Sequence, residues 1–308
     1  MSIVPVDVPM SASLAEQTIR RLTEAYPALT ERVIATTAFG RPLQAMTLGE
    51  GPRQVIFSAA HHANEWITAT VLLKFTEELA RAAQEGGTIW GVPARTILKY
   101  TTVHILPMID PDGVALVTGE ASQTEAAQAR KIAEWFPSIP FPDGWKANLL
   151  GVDLNLQYPA LWLQAREIKF SQGFTRPAPR DFVGRAPLDQ RESRALAEYT
   201  EETDPALVLA LHTQGQAIYW QFRDYAVPGA EELAGEFARV SGYRAEDTPY
   251  ESSFAGYKDW FIQRWRRPGF TIECGRGTNP LPVEQFDEIY RDVLGILVTA
   301  ATGLPEEG

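Results

Sequence analysis

Apolar residues recur along this chain with two alternating periods. From Ser13 to Tyr26, Leu14, Ile19 and Leu22 share one helical face, with Ser11 or Ser13 placed to cap the helix and Pro27 to stop it. Two strand-like runs, Arg32–Thr37 and Leu43–Leu48, flank the turn-forming FGRP and predict a hairpin. Gln54–Ala60 is a short apolar run, read as a buried strand, and Asn64 is placed to cap the segment that follows. Trp66, Ala69, Leu72, Leu73 and Leu79 then mark a long helix ending near Gly86 and Gly87. Thr102–Met108 predicts another strand, closed by a turn at Asp110, Pro111, Asp112 and Gly113.

In the second half, helices are expected at Leu188–Glu202, Gly229–Val240, Tyr257–Arg264 and Val283–Thr302, and strands at Ala206–Leu211, Gln216–Phe222 and Phe270–Cys274. Between the halves, Phe136–Arg185 is rich in proline, glycine and aromatics and lacks a clear period. It is too long for an ordinary connection, so it reads as a functional loop rimming a cleft. The alternation predicts an α/β fold spanning 1–308 as a single domain, with a central mixed, mostly parallel sheet and helices on both faces.

Composition narrows the function classes. The 39 acidic and 28 basic residues give a formal charge of −11 with no basic run. That balance removes the electrostatic case for nucleic acid or an anionic membrane, so small molecules or peptides are the expected partners. The single cysteine, Cys274, excludes an internal disulfide and suits a reducing compartment. No basic residue precedes Arg20, and no apolar run approaches the roughly 18 residues of a membrane span, so a cytoplasmic location is expected.

The reactive side chains fall at strand ends. His61 and His62 follow the Gln54–Ala60 run, His212 follows LVLAL, and Glu273 lies in GFTIEC ahead of a glycine-rich stretch. In open α/β sheets, the carboxyl ends of the strands are where ligands bind. His62 and Glu65, three residues apart at a strand-to-helix junction, offer the imidazole and carboxylate that zinc accepts, although the HxxE spacing alone serves equally as a cap or an ion pair.

Taken in order, these residues resemble the zinc carboxypeptidase family. Its short metal motif matches His62, Glu65 and Trp66, its distant ligand His212, its NPDG turn Asp110 to Gly113, and its catalytic glutamate Glu273. The resemblance implies one zinc ion held by His62, Glu65 and His212, and Glu273 as the proton carrier of a metal-assisted hydrolysis. Within GVDLN it places Asp153 as the partner that orients His62. The family's arginine ahead of that segment is replaced in WKAN by Lys146, a candidate cation for the tetrahedral intermediate or else an exposed loop lysine. His61 is expected on the cleft wall and His104 in a buried strand.

The departures bear on substrate. Carboxypeptidases of the family grip a terminal carboxylate with asparagine followed by arginine, whereas this chain reads Asn155, Leu156, Gln157. Losing such a charge-assisted contact costs about 2–5 kcal/mol of binding, which argues against ordinary carboxypeptidase specificity. The strings GVDLNLQYPALW, LHTQGQAIYW, SFAGYKDWFIQ and GFTIECGRGTNPLP resemble the bacterial γ-D-glutamyl-L-diamino acid endopeptidase branch, over roughly residues 15 to 300. That resemblance implies cleavage of the amide between γ-D-glutamate and meso-diaminopimelate or lysine in muropeptides. The alternatives are a broader carboxypeptidase, an N-acyl amino acid amidohydrolase, or a non-catalytic wall-peptide binder. Tyr250 is the first candidate for the family's mobile tyrosine, with Tyr257 as its competitor. A substrate carboxylate is assigned to Arg276, which alternatively forms a surface ion pair, or to an arginine of the 176–194 region.

Overall fold

The computed structural model describes residues 2–303. In chain order these form α1 (Ala12–Ala25), β1 (Thr30–Thr36), β2 (Pro42–Leu48), β3 (Arg53–Ala59) and α2 (Ile67–Glu85). A minor hairpin, β4 (Thr88–Ile89) and β5 (Val92–Pro93), leads to α3 (Ala94–Tyr100), β6 (Thr101–Leu106), α4 (Pro111–Val117) and α5 (Gln123–Ala133). Beyond a long irregular stretch carrying α6 (Trp162–Ser171) lie α7 (Arg191–Thr203), β7 (Leu207–Thr213), β8 (Ala217–Tyr219) and α8 (Ala230–Ser241). The chain closes with β9 (Arg244–Glu246), α9 (Tyr257–Trp265), β10 (Gly269–Cys274) and α10 (Phe286–Thr302).

Eight of these strands form one sheet in the order β1-β2-β6-β3-β7-β10-β8-β9. Its centre, β6-β3-β7-β10, is parallel, while β1, β2 and β8 join antiparallel. Period-2 alternation sorts the central strands between two cores. Val55, Phe57, Ala59, Leu207, Leu209, Leu211, Phe270 and Ile272 face one, with residues of α1, α2, α8 and α10. Ile56, Val208 and Ala210 face the other, with residues of α7 and α9. Each buried leucine, isoleucine or phenylalanine contributes on the order of 1.5–3 kcal/mol over its exposed state, so both layers hold the strand ends firmly. Among the described residues, no helix is long and apolar enough to cross a membrane.

Three local expectations need correction. Asp110 to Gly113 is not an isolated turn: the Asp110 side chain accepts from Gly113 N and caps α4, with Pro111 in the first helical turn. Asn64 does not cap α2, because it lies inside a short 3₁₀ turn (Ala63–Glu65) and donates its side-chain amide to Asp143 O at 2.8 Å. The 136–185 stretch contains α6, and residues on either side of it, together with Lys169 within it, line a cleft.

That stretch is braced by α7. Ser193 Oγ donates to Leu154 O at 3.0 Å, Gln190 N donates to the Gln157 side chain at 3.1 Å, and Asn148 Nδ2 donates to Gln190 Oε1 at 2.9 Å. Glu192 lies at the same junction, 2% exposed. Burial, reinforced by the charge of Asp112, pushes its carboxyl up from 4.5 to about 7. A carboxyl that binds its proton more tightly when folded is stabilising only while protonated, so stability falls as pH rises from 4.5 through 7. Glu192→Gln is expected to stabilise the protein by about 1–3 kcal/mol at pH ~8 and to lose that advantage at pH ~4.5. Paired thermal melts at the two pH values check it; equal gains at both would show that titration is not the cause.

Candidate metal centre and active-site cleft

The site is assembled where parallel strands end. After β3, Ala60 takes a left-handed φ of 46° and turns His61 and His62 out of the sheet. Thr68 locks the turn, its Oγ1 accepting from Ala60 N at 3.0 Å and donating to Glu65 O at 2.7 Å. His212 on β7 and Glu273 on β10 are direct register partners in adjacent parallel strands, so their side chains emerge side by side on one face. Strand geometry thereby brings residues from three distant segments to one edge.

His62, Glu65 and His212 converge, with their donor atoms all within 4.8 Å of one another. His62 Nδ1 is 2.9 Å from one Glu65 oxygen, His212 Nδ1 is 3.0 Å from the other, and the two Nδ1 atoms are 3.3 Å apart. Donors about 2.0–2.1 Å from a common tetrahedral centre lie roughly 3.3 Å from each other, so the set has the spacing of a zinc site. The facing imidazole lone pairs also need a cation or a proton between them. Behind the donors, Asp153 Oδ1 meets His62 Nε2 at 3.2 Å, and Thr213 N donates to Glu65 Oε2 at 3.2 Å.

The electrostatics of the protein alone call for positive charge here. Burial acts to lower the His62 pKa, but Glu65 and Asp153 outweigh it and raise the imidazole to about 9. Burial acts to raise Glu65 and Asp153, yet His62 and Lys146 hold both carboxyls below their ordinary values. Glu273 responds oppositely: burial first, then the neighbouring Glu65 charge, push it up to about 8 against the pull of Lys146 and His62.

A cleft passes through this cluster as two joined cavities. One, of about 180 Å³, is lined by His62, Asp153, Asn155, Leu156, Lys258 and Thr271 among others. The second, of about 800 Å³, runs past Ser138 to Gly144 and Gly277 to Pro280. Lys146, Arg180, Tyr219 and Glu273 line both and mark the junction. Lys146 Nζ donates to Glu65 Oε1 at 2.8 Å. Asn155 faces the smaller cavity, but its Oδ1 also accepts from Tyr257 N at 3.0 Å.

Other candidates fall elsewhere. Arg276 is two-thirds exposed and pairs with Glu288 on α10; it is absent from the lining of either cavity, so the carboxylate-holding expectation for it is corrected in favour of a surface ion pair. His61 is fully buried, not on the cleft wall, its ring stacked on His212 at 5.3 Å. His104 sits half-buried in β6, bonded to Tyr199 Oη at 2.7 Å and Gln54 Oε1 at 2.8 Å. Tyr257 is fully buried, its hydroxyl 2.8 Å from that of Thr200, whereas Tyr250 is 58% exposed between Pro249 and the cavity-lining Ser252. The sequence reading missed Lys258 and named Arg180 only within a span of arginines. Arg180 bonds Asp181 and draws its raised pKa, against burial, from Asp181, Asp153 and Glu65.

A His-Glu-His set at the carboxyl edge of a mixed α/β sheet, with Glu273 beside it in register with His212, defines a zinc metallopeptidase. The zinc carboxypeptidase family model matches residues 15–294, and the chain belongs to that family. It is 42% identical to gamma-D-glutamyl-L-diamino acid endopeptidase 1 of Lysinibacillus sphaericus, over 93% of this chain and 70% of that protein. It is 35% identical to an uncharacterised protein of Bacillus subtilis, over 92% and 75%. The fold is shared with bovine thrombin-activatable fibrinolysis inhibitor bound to tick carboxypeptidase inhibitor, with TM-score 0.73, 16% identity, and coverage of 96% and 97%.

Proposed function

We propose that this protein hydrolyses the amide joining γ-D-glutamate to a diamino acid in cell-wall muropeptides. His62, Glu65 and His212 would hold one zinc ion. When bound, zinc supplies Lewis-acid polarisation of the scissile carbonyl and acidifies water. Glu273, beside His212 at the cavity junction, accepts the proton of the attacking water and delivers it to the departing amine nitrogen. Asp153 fixes the His62 tautomer. Lys146 and Arg180 present positive charge where the two cavities meet, to the developing oxyanion and to the free α-carboxylate that a γ-linkage leaves near the scissile carbonyl. Asn155 contacts the leaving residue, and Tyr250 stands at the rim to close over it.

The observation that carries this reading is the lining of the smaller cavity. Leu156 occupies it where the family's terminal-carboxylate arginine would follow Asn155; Lys169 and Lys258 line it as ion pairs with Asp181 and Asp259, and Lys146 and Arg180 stand at the junction with the larger cavity. The similarity to a protein named for γ-D-glutamyl-L-diamino acid cleavage supports the same linkage. Mass spectrometry of L-Ala-γ-D-Glu-meso-diaminopimelate treated with zinc-loaded enzyme is expected to find L-Ala-D-Glu and free diaminopimelate, with neither formed after chelation. Intact tripeptide in both arms would refute the proposal.

A further inference from the structure

The two histidines of the metal set are held in place by different means. A ligating imidazole commonly gives its second nitrogen to a carboxylate, a carbonyl or water, as His62 does with Asp153 at 3.2 Å. His212 has no such support. Its Nε2 is buried and meets no hydrogen-bonding group among the described residues, so the plane of its ring must be fixed in another way. What packs on it is His61, with ring centroids 5.3 Å apart and planes 22° from parallel.

His61 also packs on Tyr257, at 5.7 Å and 31°, and Tyr257 is anchored at both ends: its N donates to Asn155 Oδ1 at 3.0 Å, and its hydroxyl lies 2.8 Å from that of Thr200. Neither ring can swing freely. Tyr257 continues the series to Tyr158 and Trp260, at 5.3 and 6.2 Å, so the rings run from the metal set into the core beneath α7 and α9. His61, His212 and Tyr257 are each at most 1% exposed. Both ring nitrogens of His61 are buried without a hydrogen-bond partner, which is destabilising, so hydrogen bonding does not account for an imidazole at this position. Its flat face does, because aromatic rings offset by roughly 4.5–7 Å attract beyond the area they bury.

We propose that His61 is a positioning residue whose ring, backed by Tyr257, holds His212 in the plane that aims its Nδ1 at the metal. The donor is then aimed before the ion arrives, and losing the face weakens metal binding without removing a ligand. The assignment rests on the zinc set of the proposed function and on no particular substrate. His61→Phe and His61→Leu test it, since leucine is nearer to histidine in size whereas phenylalanine keeps the flat ring. Neither carries a ring nitrogen. Competition with a chromophoric chelator is expected to give the phenylalanine variant a zinc affinity within about twofold of wild type and the leucine variant one about 3–10-fold weaker. The visible bands of the cobalt-substituted protein should be kept in the first and altered in the second. Wild-type affinity in the leucine variant would overturn the proposal, as would equal losses in both, which would mean that a ring nitrogen is required. Should either variant fail to fold, the wild-type protein decides: with four histidines in the chain, ring-labelled protein is expected to show nuclear Overhauser contacts between His61 and His212 before zinc is added. Their absence would overturn the proposal. If those contacts are present but the wild-type protein holds no zinc, the metal reading falls and the stack stands.

Discussion

Glu273→Gln is expected to lower kcat by roughly 10²–10⁴-fold while leaving fold and zinc content unchanged. The glutamine amide is close to isosteric but cannot take a proton, and Glu273 is the carboxylate at the cavity junction with no place in the His62, Glu65, His212 set. The substitution also removes a buried carboxyl repelled by Glu65, so the thermal midpoint should not fall. Near wild-type kcat in a variant with full zinc occupancy would remove Glu273 from the chemistry.

The second large effect is on the metal. His212→Ala and His62→Ala each delete one of three donors, and neither variant should retain stoichiometric zinc after dialysis. Activity should drop below detection in both. Asp153→Asn provides a graded comparison, because it leaves all three donors in place and weakens the grip on His62 Nε2 together with the carboxylate's bonds to Asn155 N and Asp181 N; zinc affinity should fall about 10–100-fold. Elemental analysis and competition with a chromophoric chelator measure the series. Full zinc in both alanine variants would refute the ligand set.

The sheet was legible because its central strands are apolar on both faces, and the runs at Gln54, Ala206 and Phe270 carry that signature without ambiguity. Strand ends read together put His62, His212 and Glu273 at one sheet edge, and the ordered match to the zinc carboxypeptidase motif joined Glu65 to the two histidines. Their spacing alone did not distinguish a metal site from a cap. Short helices escaped for physical reasons. Among the residues of α5, only Ala129 and Ala133 are buried, so no apolar stripe betrayed it, although the Ser122–Glu125 capping box was there to be read. Lys258 escaped because a lysine beside an aspartate on a helix resembles a solvated pair; only the packing of α9 against Gly269 shows it buried. Arg276 failed in the opposite sense, since nearness to Glu273 in sequence does not survive the turn at Gly275, whose φ of 66° carries the chain away from the strand.

The central claim is a preference for the γ-D-glutamyl linkage, and competition kinetics tests it most directly. L-Ala-γ-D-Glu-meso-diaminopimelate, its α-linked isomer and a peptide ending in L-Phe should be offered together to the zinc-loaded enzyme. The expected result is a kcat/KM for the γ-linked peptide exceeding both others by about 10²-fold or more, the cost of leaving a charged recognition contact unmade. Equal or faster release of L-Phe, with the γ-linked peptide untouched, would contradict the account and return the protein to ordinary carboxypeptidase specificity.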